Sequence, residues 1–135
     1  MGKKALLLPM VFTLLISSVV LAATPVPTDL KMVEPDPSLP KELVAFLGRW
    51  KQISGYCGIG ELIVERIDEE KASLYLFSSG SWIRRGAKVS KERGKYKLWY
   101  SGAMGGHEYS LKEDGSLRLS YGGNRPGFCT YKRVP

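Results

Sequence analysis

The side chains that could do chemistry are few in this chain and far apart. His107 is the only histidine. A serine–histidine–carboxylate triad would have to use it as the base, yet it stands beside Glu108 with no nucleophile-elbow sequence near it. A polar residue at a strand end is the plainer reading of that position. Paired carboxylates for general acid–base work are missing from the expected core, because the acids gather in turns at Asp68-Glu69-Glu70 and Glu113-Asp114. Glu61 and Glu65 share one strand face, which by expectation is the solvent face. Gly102-Ala103-Met104-Gly105-Gly106 follows a strand and opens no helix, so it is not a phosphate cradle. Cys57, Cys129 and His107 lack the close spacing of a zinc motif. The inventory predicts a protein that is not an enzyme and holds neither metal nor cofactor.

The cysteines carry a different message. Met1-Gly2-Lys3-Lys4 is a short basic start, Ala5 to Leu21 is apolar, and Ala22-Ala23 supplies small residues for cleavage. That order reads as a signal peptide over residues 1–22, and a periplasmic or extracellular location follows. In an exported chain the pair Cys57 and Cys129 reads as a disulfide. Closing so long a loop is worth about 4 kcal/mol in the chain-entropy account.

The formal net charge is +7. Arg84, Arg85, Lys88, Lys91, Arg93, Lys95 and Lys97 concentrate in one stretch that only Glu92 interrupts. It can be a solvated face, a contact for an anionic membrane or glycan, or a nucleic-acid site. Trp82, Tyr96 and Trp99 interleave with it as a single-strand binder would need, but export argues against nucleic acid.

These residues need elements to position them. Residues 23–37 are proline-rich and without apolar period, which predicts an extended tail. Residues 38–135 read as a single domain. Pro40 stands at a helix start, and Leu43, Val44, Phe46 and Leu47 give a short apolar face that ends at Gly48. Strands follow at about Gly48–Ser54, Glu61–Ile67, Ala72–Ser78, Trp82–Val89, Lys95–Ser101, His107–Lys112, Ser116–Tyr121 and Phe128–Val134. Within the fourth, Arg84-Arg85-Gly86 breaks the alternation. Asp114-Gly115 is the strongest hairpin signal. Short connections force antiparallel neighbours, so the prediction is an all-β, up-and-down barrel of about eight strands preceded by one short helix.

Leu47-Gly48-Arg49-Trp50 followed by such a meander resembles the lipocalin-like (calycin) group of small secreted β-barrels. The resemblance implies that Trp50 closes one end of the barrel and that a basic residue of the last strand, Arg133, packs across its ring. A weaker resemblance is to periplasmic lysozyme-inhibitor barrels, through size, compartment, the stapling disulfide and the stretch from Gly86 to Trp99. The function expected first is binding of a small apolar or amphipathic ligand in the barrel mouth, with Tyr56, Trp82, Tyr96, Trp99 and Tyr121 as its aromatic lining. The alternative is a protein-binding or inhibitory module of the cell envelope that uses its outer surface. A deep apolar pocket would favour the first and a filled interior the second.

Overall fold

Alternation of apolar and polar residues gives each strand one face to bury, and eight such strands bury them together by closing on themselves. The computed structural model describes residues 24–102, 105–123 and 126–135. The signal peptide reading over residues 1–22 lies outside these. A short helix, α1 (Lys41–Val44), precedes β1 (Gly48–Ser54), β2 (Glu61–Ile67), β3 (Lys71–Ser78), β4 (Ser81–Glu92), β5 (Lys95–Gly102), β6 (Gly105–Leu111), β7 (Leu117–Tyr121) and β8 (Gly127–Val134). Each strand pairs antiparallel with the next, and β8 returns to pair with β1, so the barrel is closed. Closure gives every strand a hydrogen-bonded neighbour on both sides over at least part of its length.

The interior is filled by side chains. Trp50, Leu62, Val64, Leu74, Leu98, Tyr109, Leu117, Leu119 and Tyr131 are fully buried in one cluster with Cys129. Each large apolar side chain buried so completely contributes about 1.5–3 kcal/mol. Leu43 of α1 and Phe46 join that cluster from below and plug the end where β1 begins. Trp50 donates its indole N–H to the Phe46 carbonyl at 3.0 Å. Arg133 lies over the Trp50 ring, its guanidinium carbon 4.4 Å from the centroid, and donates to the carbonyls of Leu47 and Ala45. Gly48 has φ +119°, and a Cβ there would come within 2.7 Å of Arg133 Nη1. The Gly-x-Trp opening and the arginine thus form one device.

Two features depart from the pattern. The proline-rich stretch is extended but not free: it straps the outer wall of the barrel. Arg49 Nη2 donates to the Thr24 carbonyl at 2.9 Å, Trp82 Nε1 to the Pro25 carbonyl at 2.7 Å, and the Val33 N–H to the Glu65 carbonyl at 3.0 Å. Beneath this strap Ile63 and Tyr75 are buried on the outer face of the sheet. Glu61 and Glu65, expected on a solvent face, are buried as well, at 6% and 5% exposure. Their charges are met: Arg49 grips Glu61 at 2.6 Å, and Arg84 reaches Glu65 at 3.2 Å.

The second feature is β4. It runs from Ser81 through Glu92, past the break seen at Arg84-Arg85-Gly86, because β3 pairs with it from Lys71↔Lys88 to Ser78↔Ser81. Its pairing with β5 covers Lys88 to Glu92 alone among the described residues. The upper part of β4 is therefore bonded on one side. Ile83 and Arg85 share the inner face with Leu76 and Leu74 yet are exposed there. That one-sided pairing is the reason for the broken alternation.

Candidate functional site

The end of the barrel opposite α1 is built around the covalent staple. Cys57 and Cys129 form a disulfide with Cα atoms 6.2 Å apart. The bond ties the loop between β1 and β2 to the start of β8. Gly55 turns that loop with φ +87°, and a Cβ there would meet the Phe128 carbonyl at 2.5 Å. Gln52 Nε2 donates to the Gly55 carbonyl, and the Tyr121 hydroxyl donates to the Tyr56 carbonyl at 3.0 Å. The Tyr56 backbone is thus pinned from both sides while its side chain is 89% exposed. Ile53 and Phe128, at the neighbouring ends of β1 and β8, are the other exposed large apolar residues at this end of those two strands. Arg118 lies over the Phe128 ring at 4.1 Å.

Below this end the interior is a set of satisfied tyrosines. The hydroxyls of Tyr100 and Tyr109 meet at 3.2 Å, and Tyr131 donates to the Ile59 carbonyl at 2.7 Å beside Cys57 Sγ. Burial pushes the hydroxyls of Tyr100, Tyr109 and Tyr131 above the usual tyrosine range. His107 pairs with Tyr100 across β5 and β6 and stacks on its ring at 4.8 Å, with Nδ1 3.1 Å from the Gly105 carbonyl. It is an inward aromatic with a backbone partner, at the end of a strand. Among the described residues no group of three or more histidine, cysteine or acidic side chains could hold a metal ion.

The five aromatics expected to line one mouth are not brought together. Tyr56 and Tyr121 meet at the disulfide end. Trp82 pairs with Phe77 and is engaged by the strap on the outer face. Tyr96 is cross-strand from Lys91 near the closed end, with the ammonium 5.2 Å from its ring centre. Trp99 shares the outer face with Lys88 and Glu108. The pleat and the barrel's height separate them: Trp82 and Trp99 fall on outward positions, and Tyr96 falls at the end near α1.

The pleat divides the basic stretch in the same way. Arg84 turns outward to Glu65, Asp29 and the Tyr75 hydroxyl. Arg85 lies on the inner face of upper β4, and its charge acts on Tyr100. Lys88 is outward and exposed, Lys91 lies over Tyr96, and Arg93 occupies a turn with φ +51°. Lys97 is held by Glu108 at 2.7 Å and Glu92 at 3.1 Å, which raise its pKa in that order. The pleat thus sends alternate basic residues of β4 to opposite faces of the strand.

Sequence reasoning missed Ile53 and Phe128, which end their strands next to Gly55 and Cys129. An apolar residue at a strand end beside a cysteine was the available signal. It also missed the pairing of strap and buried acids, for which the outward glutamates of an otherwise apolar strand were the only hint. The molecule these observations define is a closed, side-chain-filled up-and-down barrel with one end plugged by a helix and the other stapled by a disulfide. Comparison with known families, with curated proteins and with solved structures finds no match.

Proposed function

We propose that the protein is an exported, non-enzymatic binding module of the cell envelope that engages a protein partner with its disulfide-stapled end. The observation that carries this reading is Tyr56, 89% exposed on a loop whose backbone is fixed by Cys57, Gln52 and Tyr121. An exposed aromatic on an immobile backbone gives contact area at little ordering cost, which is how interface anchors work. Ile53 and Phe128 widen the apolar surface around it. The filled interior supports use of the outer surface over use of a central cavity. The Gly48–Trp50–Arg133 device supports placing the chain with the lipocalin-like barrels, and its small size and staple favour the inhibitor-type barrels among its resemblances.

The test is site-specific photo-crosslinking in intact cells with the probe at Phe128. A single defined adduct should form, and Tyr56→Ala should abolish it while Trp82→Ala leaves it unchanged. Adducts equally abundant in all three proteins would overturn the reading.

A second reading, an amphipathic anion at the mouth, is favoured by Ile83 and Arg85, which put an apolar side chain and a cation on the exposed inner face of upper β4. Native mass spectrometry of protein purified from its own envelope decides between them: a retained small molecule lost in Arg85→Gln supports this second reading.

A further inference from the structure

The strap and the wall beneath it enclose a groove of about 410 Å³, walled by Lys31, Arg66, Lys71 and Arg84. Glu65 and Asp68 also line it; Glu65 is offset by Arg84, and the Asp68 carboxylate keeps its charge near Lys71 and Arg66, so the cations outnumber the acids. Glu65 accepts the Ser73 hydroxyl at 2.9 Å, the Lys31 N–H at 3.2 Å and Arg84 at 3.2 Å. Asp68 accepts the N–H groups of Glu70 and Lys71, each at 2.8 Å, and these bonds hold its carboxyl below the usual range. Lys31, Arg66, Lys71 and the adjoining Lys88 form no ion pair among the described residues.

Lys71 and Lys88 are direct cross-strand neighbours on the outer face. Like charges placed opposite each other weaken a sheet. Both side chains are exposed, so packing does not demand lysine at either position. Gly86 keeps the groove floor open, since a Cβ there would meet nothing within 4 Å. The row continues from Lys88 to its neighbour on β5, Trp99, whose indole is 42% exposed.

We propose that this groove binds an anionic polysaccharide, with Lys31, Arg66, Lys71 and Lys88 receiving its sulfate or carboxylate groups and Trp99 stacking on a sugar ring at the groove's edge. A concave cleft with cations on opposite walls fits a single chain, whereas a bilayer surface calls for a flat or convex basic face. Single-stranded nucleic acid calls for successive stacking aromatics, and the groove is flanked by one exposed indole.

The experiment is calorimetric titration of the protein with heparin and polygalacturonate oligosaccharides, at low and at physiological salt. At least one should bind, more weakly as salt rises. Lys71→Gln with Lys88→Gln should weaken it about tenfold, a loss of the size expected for two solvent-exposed ion pairs. Trp99→Ala should weaken it severalfold at unchanged salt dependence. Lys95→Gln with Lys112→Gln removes the same charge from a different groove, beside Asp114, and should change affinity less than about twofold. Thermal melts of all variants should match the parent, as these side chains are on the surface. Equal losses in the two double variants would overturn the proposal. So would binding of phosphatidylglycerol vesicles or of a single-stranded oligonucleotide with no binding of either glycan.

Discussion

Trp50 makes three separable interactions, and each has its own cost of removal. Its ring is fully buried, its N–H is bonded to Phe46, and Arg133 covers its outer face. Trp50→Ala should lower stability by about 3–5 kcal/mol, read from denaturant midpoints. Arg133→Met keeps the ring covered but loses two carbonyl bonds and the cation, so it should cost about 1–3 kcal/mol. A midpoint unmoved by Trp50→Ala would contradict the packing described. This trio was legible through the resemblance of the Gly48-Arg49-Trp50 opening and the basic last strand to the lipocalin-like group, which implies a cation over the indole. His107 was only half legible: its strand-end place could be read, while its stacking on Tyr100 depends on a register that sequence does not reveal. The inward tyrosines give the residue scale a pH signature. Tyr100, Tyr109 and Tyr131 have raised pKa values in the folded protein because burial disfavours the phenolate. The unfolded chain ionises them near pH 10, so their contribution is intact below about pH 10 and is lost as pH climbs toward the folded values. Absorbance at alkaline pH should show these three ionising only with unfolding. Smooth titration of all the tyrosines in the folded state would refute it.

At the scale of elements the strands were legible and the strap was not. A strand declares itself by a period of two, and Leu62, Val64, Leu74, Leu76, Leu98 and Tyr100 all fall on the inner face that period assigns. The strap docks largely through backbone groups, the carbonyls of Thr24 and Pro25 and the N–H groups of Lys31 and Val33, and backbone groups leave no side-chain period. A register shift between Val64 and Arg66 adds to this, since a bulge there lets Glu65 and Arg66 both leave the inner face. The strap and the buried acids support one another. Arg84→Ala should lower stability, because it leaves the buried Glu65 with fewer donors. Arg84→Ala combined with Glu65→Ala should cost less than the sum of the single changes, the mark of a coupled pair. Hydrogen exchange should localise the effect. The Val33 amide should be protected in the parent and lose protection in Arg84→Ala, while the Leu98 amide stays protected. Unprotected Val33 in the parent would show that the strap is not held to the wall.

The whole molecule is a closed cylinder with unlike ends, and its closure is a consequence of short connections that sequence shows directly. Which end carries the staple is less visible from sequence, because it depends on where the chain's two covalently joined segments fall around the rim. The disulfide spans 72 residues between Cys57 and Cys129, so its chain-entropy contribution is about 4 kcal/mol. It also fixes the Tyr56 loop, so stability and the proposed recognition surface are tied to the same bond. Cys57→Ser with Cys129→Ser should lower the melting temperature sharply. In a background restabilised by a ligand-independent change elsewhere, it should still weaken the photo-crosslink at Phe128, because the loop regains freedom that binding must then remove. The groove beneath the strap lies on the outer wall of β2–β4, away from the staple, so oligosaccharide binding by the restabilised variant should match the parent. Loss of both activities together would mean that the two surfaces depend on the barrel as one unit. Loss of the crosslink alone would place recognition at the stapled end and leave the outer wall an independent surface.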